Sequence, residues 1–287
     1  MQKIQIMTDS ASDISSADEQ RYGIKVIPFP ITLGDRTYLS RVDFNNEQFF
    51  SLMAQYDEIP KTAQISPYQF QEIYLRQAQA GVTDLILVLI NARGSATYDN
   101  SLQAIGLFDA EHPEYRGKLR IHSFDGMGYN ALYGSPVVQD DAPLEDILQY
   151  LTDILPRREI YFGIYDLKYA AKSGRIPTAA AFLGAALNVK PVMRIFDRSI
   201  ATAAKCRGER KLVEKVAELS IADMEPGSSY EIVYGSDSAC LEELHRLMVQ
   251  RLGYEPATVY QIGAAVAANS GPRVVGAAFT RKKEGTL

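Results

Sequence analysis

The stretch Leu85-Ile86-Leu87-Val88-Leu89-Ile90, running into Asn91-Ala92-Arg93-Gly94-Ser95-Ala96-Thr97-Tyr98, decides the fold. An unbroken aliphatic run followed by a polar loop with one Gly reads as a strand that turns into a helix, the repeating unit of an α/β layer with parallel strands. Shorter runs of the same kind lie to either side, at Ile4–Met7, Ile24–Leu33, Leu119–His122 and Ile160–Ile164. Helical periodicity fills the gaps. Phe44, Phe49, Leu52, Met53 and Tyr56 share one stripe of a helix over Phe44–Tyr56, with Asp43 as its cap. Ser66-Pro67 is a cap followed by proline at the first helical position, opening a helix that Gly81 closes.

The second half changes character. Asp166–Ser173 reads as a helix that Gly174 terminates in a left-handed conformation, followed by an Ala-rich helical segment over Pro177–Leu187. Val189–Phe196 and Ile200–Lys205 form a hairpin turning at Asp197-Arg198. Leu212–Leu219 and Leu241–Leu252 are amphipathic helices, and Glu231–Tyr234, Ala257–Ile262 and Val274–Phe279 are strands. The expectation is an N-terminal mostly parallel sheet flanked by helices and a second α/β domain with a partly antiparallel sheet. At 287 residues a single core stops growing, so two domains are expected, 1–157 and 158–287, divided near Pro156-Arg157-Arg158 with a cleft between them.

Composition narrows the function classes. With 46% hydrophobic and 23% charged residues the chain is that of a folded protein, and a net charge of −5 argues against nucleic acid, which requires a basic excess to displace counterions. No stretch reaches the roughly 18 uninterrupted apolar residues of a membrane span, and the start lacks a signal-peptide core, so a cytoplasmic protein is expected. Cys206 and Cys240 form no CxxC pair, and His112, His122 and His245 lack ligand spacing, which speaks against zinc and a disulfide scaffold. Charge is uneven: Asp166–Lys211 holds ten basic and three acidic residues, net +7, leaving −12 for the remainder. That basic region suits a phosphate or an acidic partner, and equally a solvated face.

Three polar segments can hold a ligand. Thr8-Asp9-Ser10-Ala11-Ser12-Asp13 follows the first strand, at the carboxyl end of the sheet where open α/β folds bind ligands; there Ser12 or Asp13 can instead cap the next helix while Asp9 fixes a turn. Pro60-Lys61-Thr62-Ala63-Gln64-Ile65-Ser66-Pro67 offers hydroxyls and free N–H groups to an anion, or is simply a capped loop. In Asn91–Tyr98, Gly94 permits close backbone approach and Ser95 sits by a helix N-terminus, as ligand or as cap. Neither GxxxxGK[ST], GxGxxG nor GxSxG occurs.

In order along nearly the whole chain, these motifs resemble the DegV family of bacterial lipid-binding proteins. The resemblance rests on Thr8-Asp9-Ser10 with Asp13, Pro60-Lys61-Thr62 with Gln64 and Ser66-Pro67, Ser95 with Thr97-Tyr98, and Lys172-Ser173-Gly174-Arg175-Ile176. Further matches are Leu183-Gly184, Leu187-Asn188-Val189-Lys190-Pro191, Lys205 with Arg207, and Gly271-Pro272. It implies a non-enzymatic carrier without cofactor that holds one long-chain fatty acid in an interior tunnel, its carboxylate bound by hydroxyls. Some members act as the binding subunit of a bacterial fatty acid kinase. Carried over, Thr62 and Ser95 are the carboxylate hydroxyls, Ser10 is expected with Arg93 and Asn269 among the further ligand-binding residues, and Arg175 matches the arginine of the kinase step. Two departures fall on the headgroup site: Arg93 stands where a small residue is usual, and Asn269 where a histidine is usual. The aspartate usual near His122 is Ser123.

Magnitudes rank the contacts. Burying about fifteen methylenes at roughly 0.8 kcal/mol each has a gross ceiling near 12 kcal/mol, against about 1.5–3 kcal/mol for a hydrogen bond to a charged group. The tail sets affinity and the polar groups set orientation, with Arg93 able to replace the histidine by pairing with the carboxylate. The competing expectation is a phosphoryl- or acyl-transfer enzyme using Asp9, Asp13 and the Ser95 loop.

Overall fold

A computed structural model describes residues 2–126, 142–176 and 188–283. The expected helix over Pro177–Leu187, with the Leu183-Gly184 and Leu187 matches, lies outside the described residues. The strands run in chain order as β1 (Ile4–Asp9), β2 (Lys25–Ile27), β3 (Pro30–Leu33), β4 (Arg36–Leu39), β5 (Lys61–Thr62), β6 (Asp84–Leu89), β7 (Arg120–Asp125), β8 (Arg158–Ile164), β9 (Val189–Phe196), β10 (Ser199–Arg207), β11 (Tyr230–Tyr234), β12 (Thr258–Gln261) and β13 (Val274–Thr280).

Three sheets result. The first, in the order β2-β1-β6-β7, is parallel throughout. All six residues of β6 are buried, as expected of a parallel strand covered on both faces. The second, β10-β9-β8-β13-β11-β12, is antiparallel except for the β11–β12 pair. The third is a small antiparallel sheet, β4-β3-β5. The α/β class with a parallel first sheet and a partly antiparallel second one is the expected fold. Among the described residues no helix is long and apolar enough to cross a membrane.

Three local expectations need correction. The run Ile24–Leu33 is two strands in two sheets, because Pro28 has no N–H to continue the ladder; the chain leaves β1 at Ile27 and re-enters pairing at Pro30. The helix expected from Phe44 begins at Asn46 and ends at Met53. Its cap is Asn45, which makes a reciprocal capping box with Gln48, whereas the Asp43 carboxylate accepts the Leu39 N–H at 2.6 Å in the preceding turn. Neither Ser12 nor Asp13 caps the helix Ser16–Tyr22; Ser15 does, its side chain accepting from the Asp18 N–H.

Elsewhere the sequence signals act as expected. Ser66 and Gln69 form a capping box with Pro67 in the first turn of Pro67–Gln79. Gly174 ends Leu167–Ser173 at φ 71°, and Asp197 and Arg198 both take positive φ (46° and 59°) to turn the β9–β10 hairpin. The core around the parallel sheet also takes in second-half residues, among them Val233, Tyr260, Ile262 and the alanines of the helix Ala264–Ser270. That short helix, unmarked in the sequence because seven Ala-rich residues carry no readable periodicity, packs against β5, the 3-10 turn Ser10–Ser12, the helix Asn46–Met53 and the helix Leu167–Ser173. It is one of the elements through which the two halves meet.

Candidate functional site

The carboxyl ends of β1 and β6 are tied together before any ligand is considered. Asp9, with no solvent exposure, accepts the Ala11 N–H through Oδ1 at 3.0 Å and the Ile90 N–H through Oδ2 at 2.6 Å. Burial pushes its carboxyl up to about 7 against the pull of those two amides. Asp13 adopts a left-handed conformation (φ 55°) and accepts the Gly263 N–H at 2.7 Å. Burial raises its carboxyl well above the usual range too. Asp9 and Asp13 are thus engaged in holding backbone, and neither lines the cleft at the Ser95 loop. This removes the geometric basis for an enzyme built on these carboxylates and that loop.

The loop after β6 is fixed by its own backbone. Asn91 accepts the Gly94 N–H through its carbonyl at 2.9 Å and the Arg93 N–H through Oδ1 at 2.8 Å, and the Ala92 N–H donates to Asp125 at 3.0 Å. These bonds orient the loop and leave the exposed Arg93 guanidinium without a partner among the described residues. Ser95 does not sit at the cap position of the helix Thr97–Glu111; its hydroxyl accepts the Thr97 N–H at 3.2 Å and lies 2.8 Å from the Thr97 hydroxyl. Thr97 in turn accepts the Ile65 N–H at 3.3 Å. If Thr97 donates to Ser95, the Ser95 proton is released for a ligand.

Opposite this loop, Thr62 projects from β5, which is held to β3 through the Ile31–Thr62 register and the Ala63 N–H to the Pro30 carbonyl at 3.0 Å. Its hydroxyl has no partner among the described residues. Asn269 donates through Nδ2 to the Ala265 carbonyl at 2.9 Å within its helix, leaving Oδ1 and a second N–H unused. Arg175 follows Gly174, is exposed, and donates to the Ser173 carbonyl at 2.9 Å.

Thr62, Arg93, Ser95, Arg175 and Asn269 line one cleft of about 310 Å³, with Asp99 on the same wall. Two guanidiniums against one carboxylate favour an anion there. Beside it lies an apolar cavity of about 110 Å³ walled by Phe162, Ile176, Ile195, Ile200, Val233 and Val266. Ile90, Gly94, Arg175, Ala265 and Asn269 border both spaces. A greasy chamber therefore opens beside a cationic, hydroxyl-bearing cleft.

Ser10 lies elsewhere. Its hydroxyl is buried 2.6 Å from that of Ser40 and accepts the Phe29 N–H at 3.0 Å, so it supports the wall behind the cleft and does not face a ligand. The apolar wall was not legible in advance, because its residues come from β8, β9, β10, β11, the helix Ala264–Ser270 and the turn after Leu167–Ser173, and meet only in three dimensions. The histidines lie away from the cleft, His122 beside Asp84 at 3.3 Å, His112 beside Glu114 and His245 beside Glu255. Among the described residues no cluster of three or more His, Cys, Asp or Glu side chains is arranged to hold a metal.

Comparison with known proteins agrees with the architecture. A DegV domain-containing protein of Caldanaerobacter subterraneus is 25% identical over 98% of this chain and 100% of its own length, and one from Staphylococcus aureus is 26% identical over 98% of each. Among solved structures, a stearic acid-binding protein from Eubacterium ventriosum superposes with a TM-score of 0.84 at 21% identity over the full length of both chains. A DegV protein from Thermus thermophilus, described by its fatty acid binding, gives 0.80 at 24% identity over 97% of this chain and 99% of that one. The family model described as an uncharacterised protein of the DegV family matches residues 3–282, and the chain belongs to the DegV family.

Proposed function

We propose that this protein is a cytoplasmic, non-catalytic carrier that binds one long-chain fatty acid, its tail entering through the apolar cavity and its carboxylate in the adjoining cleft at Thr62, Ser95, Arg93 and Asn269. The observation that carries the reading is the wall shared by an apolar cavity and a cationic, hydroxyl-lined cleft, which matches an amphipathic anion and no purely polar metabolite. Solved relatives of the same fold, described as binding stearic acid or fatty acids, support it. In this reading the chain divides into domains 1–157 and 158–287 with the ligand between them. Arg175, exposed where cavity and cleft meet, is the residue suited to a partner that acts on the carboxylate, a fatty acid kinase in the fullest form of the proposal.

The test is direct. Protein produced in bacteria, purified and extracted under denaturing conditions, is expected to release about one long-chain fatty acid per chain by mass spectrometry, as a single-site carrier requires. Protein that carries none, and takes up none when offered palmitate, refutes the reading.

A further inference from the structure

The helix Ala264–Ser270 contributes Ala265, Val266, Asn269 and Ser270 to the apolar cavity, and Ala265 and Asn269 also to the cleft. Its N-terminus has no side-chain cap of its own. Two side chains from the distant first half hold it there. Asp13 Oδ1 accepts the Gly263 N–H at 2.7 Å, and Asn46 Nδ2 donates to the Gln261 carbonyl at 3.0 Å, across 250 and 215 residues of chain. Gly263 has an ordinary φ of −91°, so its glycine serves space and not backbone conformation: a Cβ there would lie 2.9 Å from Asp13 Oδ1 and 3.1 Å from Asn46 Oδ1 and would push on both side chains.

We infer that Asp13 and Asn46 form a latch that clamps the turn Gln261–Gly263 and thereby sets the position of the wall dividing the tail cavity from the headgroup cleft. The inference rests on the carrier reading and makes both side chains positioning residues that touch no ligand. Asn269 lies six residues beyond Gly263, about 9 Å along the helix, so a tilt at the clamped end displaces the whole shared wall. The left-handed backbone of Asp13 and its burial in the wall of a second groove, beside Asn46 and Gln261, hold the carboxyl at the turn. Gly263 permits the close approach that both bonds require.

Two measurements separate the latch from the carrier reading. In ligand-free protein, Asp13→Ala and Asn46→Ala are each expected to speed amide hydrogen exchange over residues 264–270 by about tenfold, the equivalent of one lost hydrogen bond. The same variants are expected to raise the dissociation rate of palmitate by a similar factor. Asp13→Asn, which keeps an oxygen acceptor for the Gly263 N–H, is expected to remain near wild type in both. Gly263→Ala is expected to mimic the loss in the wild-type background and add little in Asp13→Ala/Asn46→Ala, where the clash is relieved. Asn46 is half-buried at a helix edge and provides a folded variant should Asp13→Ala fail to fold. Unchanged exchange over 264–270 overturns the latch. Faster exchange with unchanged palmitate dissociation overturns its control of the ligand wall. Absence of palmitate binding in the wild type refutes the carrier reading, and with it control of a ligand wall.

Discussion

Replacing Thr62 by Val tests the headgroup assignment most sharply, because it removes one hydroxyl and little else. Val keeps the β-branched shape that suits the short β5 strand, and the neighbouring Ala63 N–H to Pro30 bond does not involve the side chain. The Thr62 hydroxyl is half-buried in the cleft with no internal partner among the described residues, so no protein hydrogen bond is broken by the change. The loss is therefore that of the ligand contact alone. A hydrogen bond to a carboxylate contributes about 1.5–3 kcal/mol, which corresponds to a roughly 10- to 150-fold weaker complex. In the carrier reading the burial of the tail is untouched by the change and supplies most of the gross binding free energy. Titration calorimetry or displacement of a fluorescent fatty acid should thus show a large loss for palmitate and a small one for hexadecanol or methyl palmitate. Equal losses for all three, with an unchanged melting temperature, would mean that the carboxylate is held away from Thr62, and no loss for palmitate would remove Thr62 from the site.

Arg93→Ala should weaken palmitate binding several-fold, in keeping with an exposed charge worth about 0.2–1 kcal/mol, and should reduce the salt sensitivity of binding; an unchanged salt dependence in a titration series would place Arg93 outside the site. Arg175→Ala should leave palmitate affinity close to wild type while preventing acyl phosphate formation in the presence of a bacterial fatty acid kinase and ATP; loss of binding would make Arg175 a headgroup ligand. Asp9 predicts a pH profile of stability. Its folded carboxyl titrates at about 7 against 3.8 when unfolded, so the folded state holds the proton more tightly, and stability falls as pH rises from about 4 to about 7 and levels off above. Asp9→Asn should cost about 1–3 kcal/mol at pH 4 through one lost acceptor and should flatten that fall, measured as urea midpoints across pH; an unaltered slope refutes the burial argument.

The sequence alone determined the secondary-structure alphabet and its order, because hydrophobic period and capping chemistry are local. Leu85–Ile90 read as a buried strand, Ser66-Pro67 as the opening of a helix, and Asp197-Arg198 as a tight hairpin turn. The ordered motifs also located Thr62, Arg93, Ser95, Arg175 and Asn269, which one cleft brings together. Only the tertiary structure decided the roles of Ser10, Asp9 and Asp13, since a polar residue at the end of a strand reads the same whether it faces a ligand or a backbone amide 81 or 250 residues away. It alone decided the split of Ile24–Leu33 between two sheets, which depends on which neighbours are available once Pro28 interrupts pairing. The apolar wall was likewise beyond local pattern: its residues come from separate strands, a turn and the short helix Ala264–Ser270, are indistinguishable in sequence from ordinary core, and meet only because that helix packs against elements of both halves through contacts that no local pattern encodes.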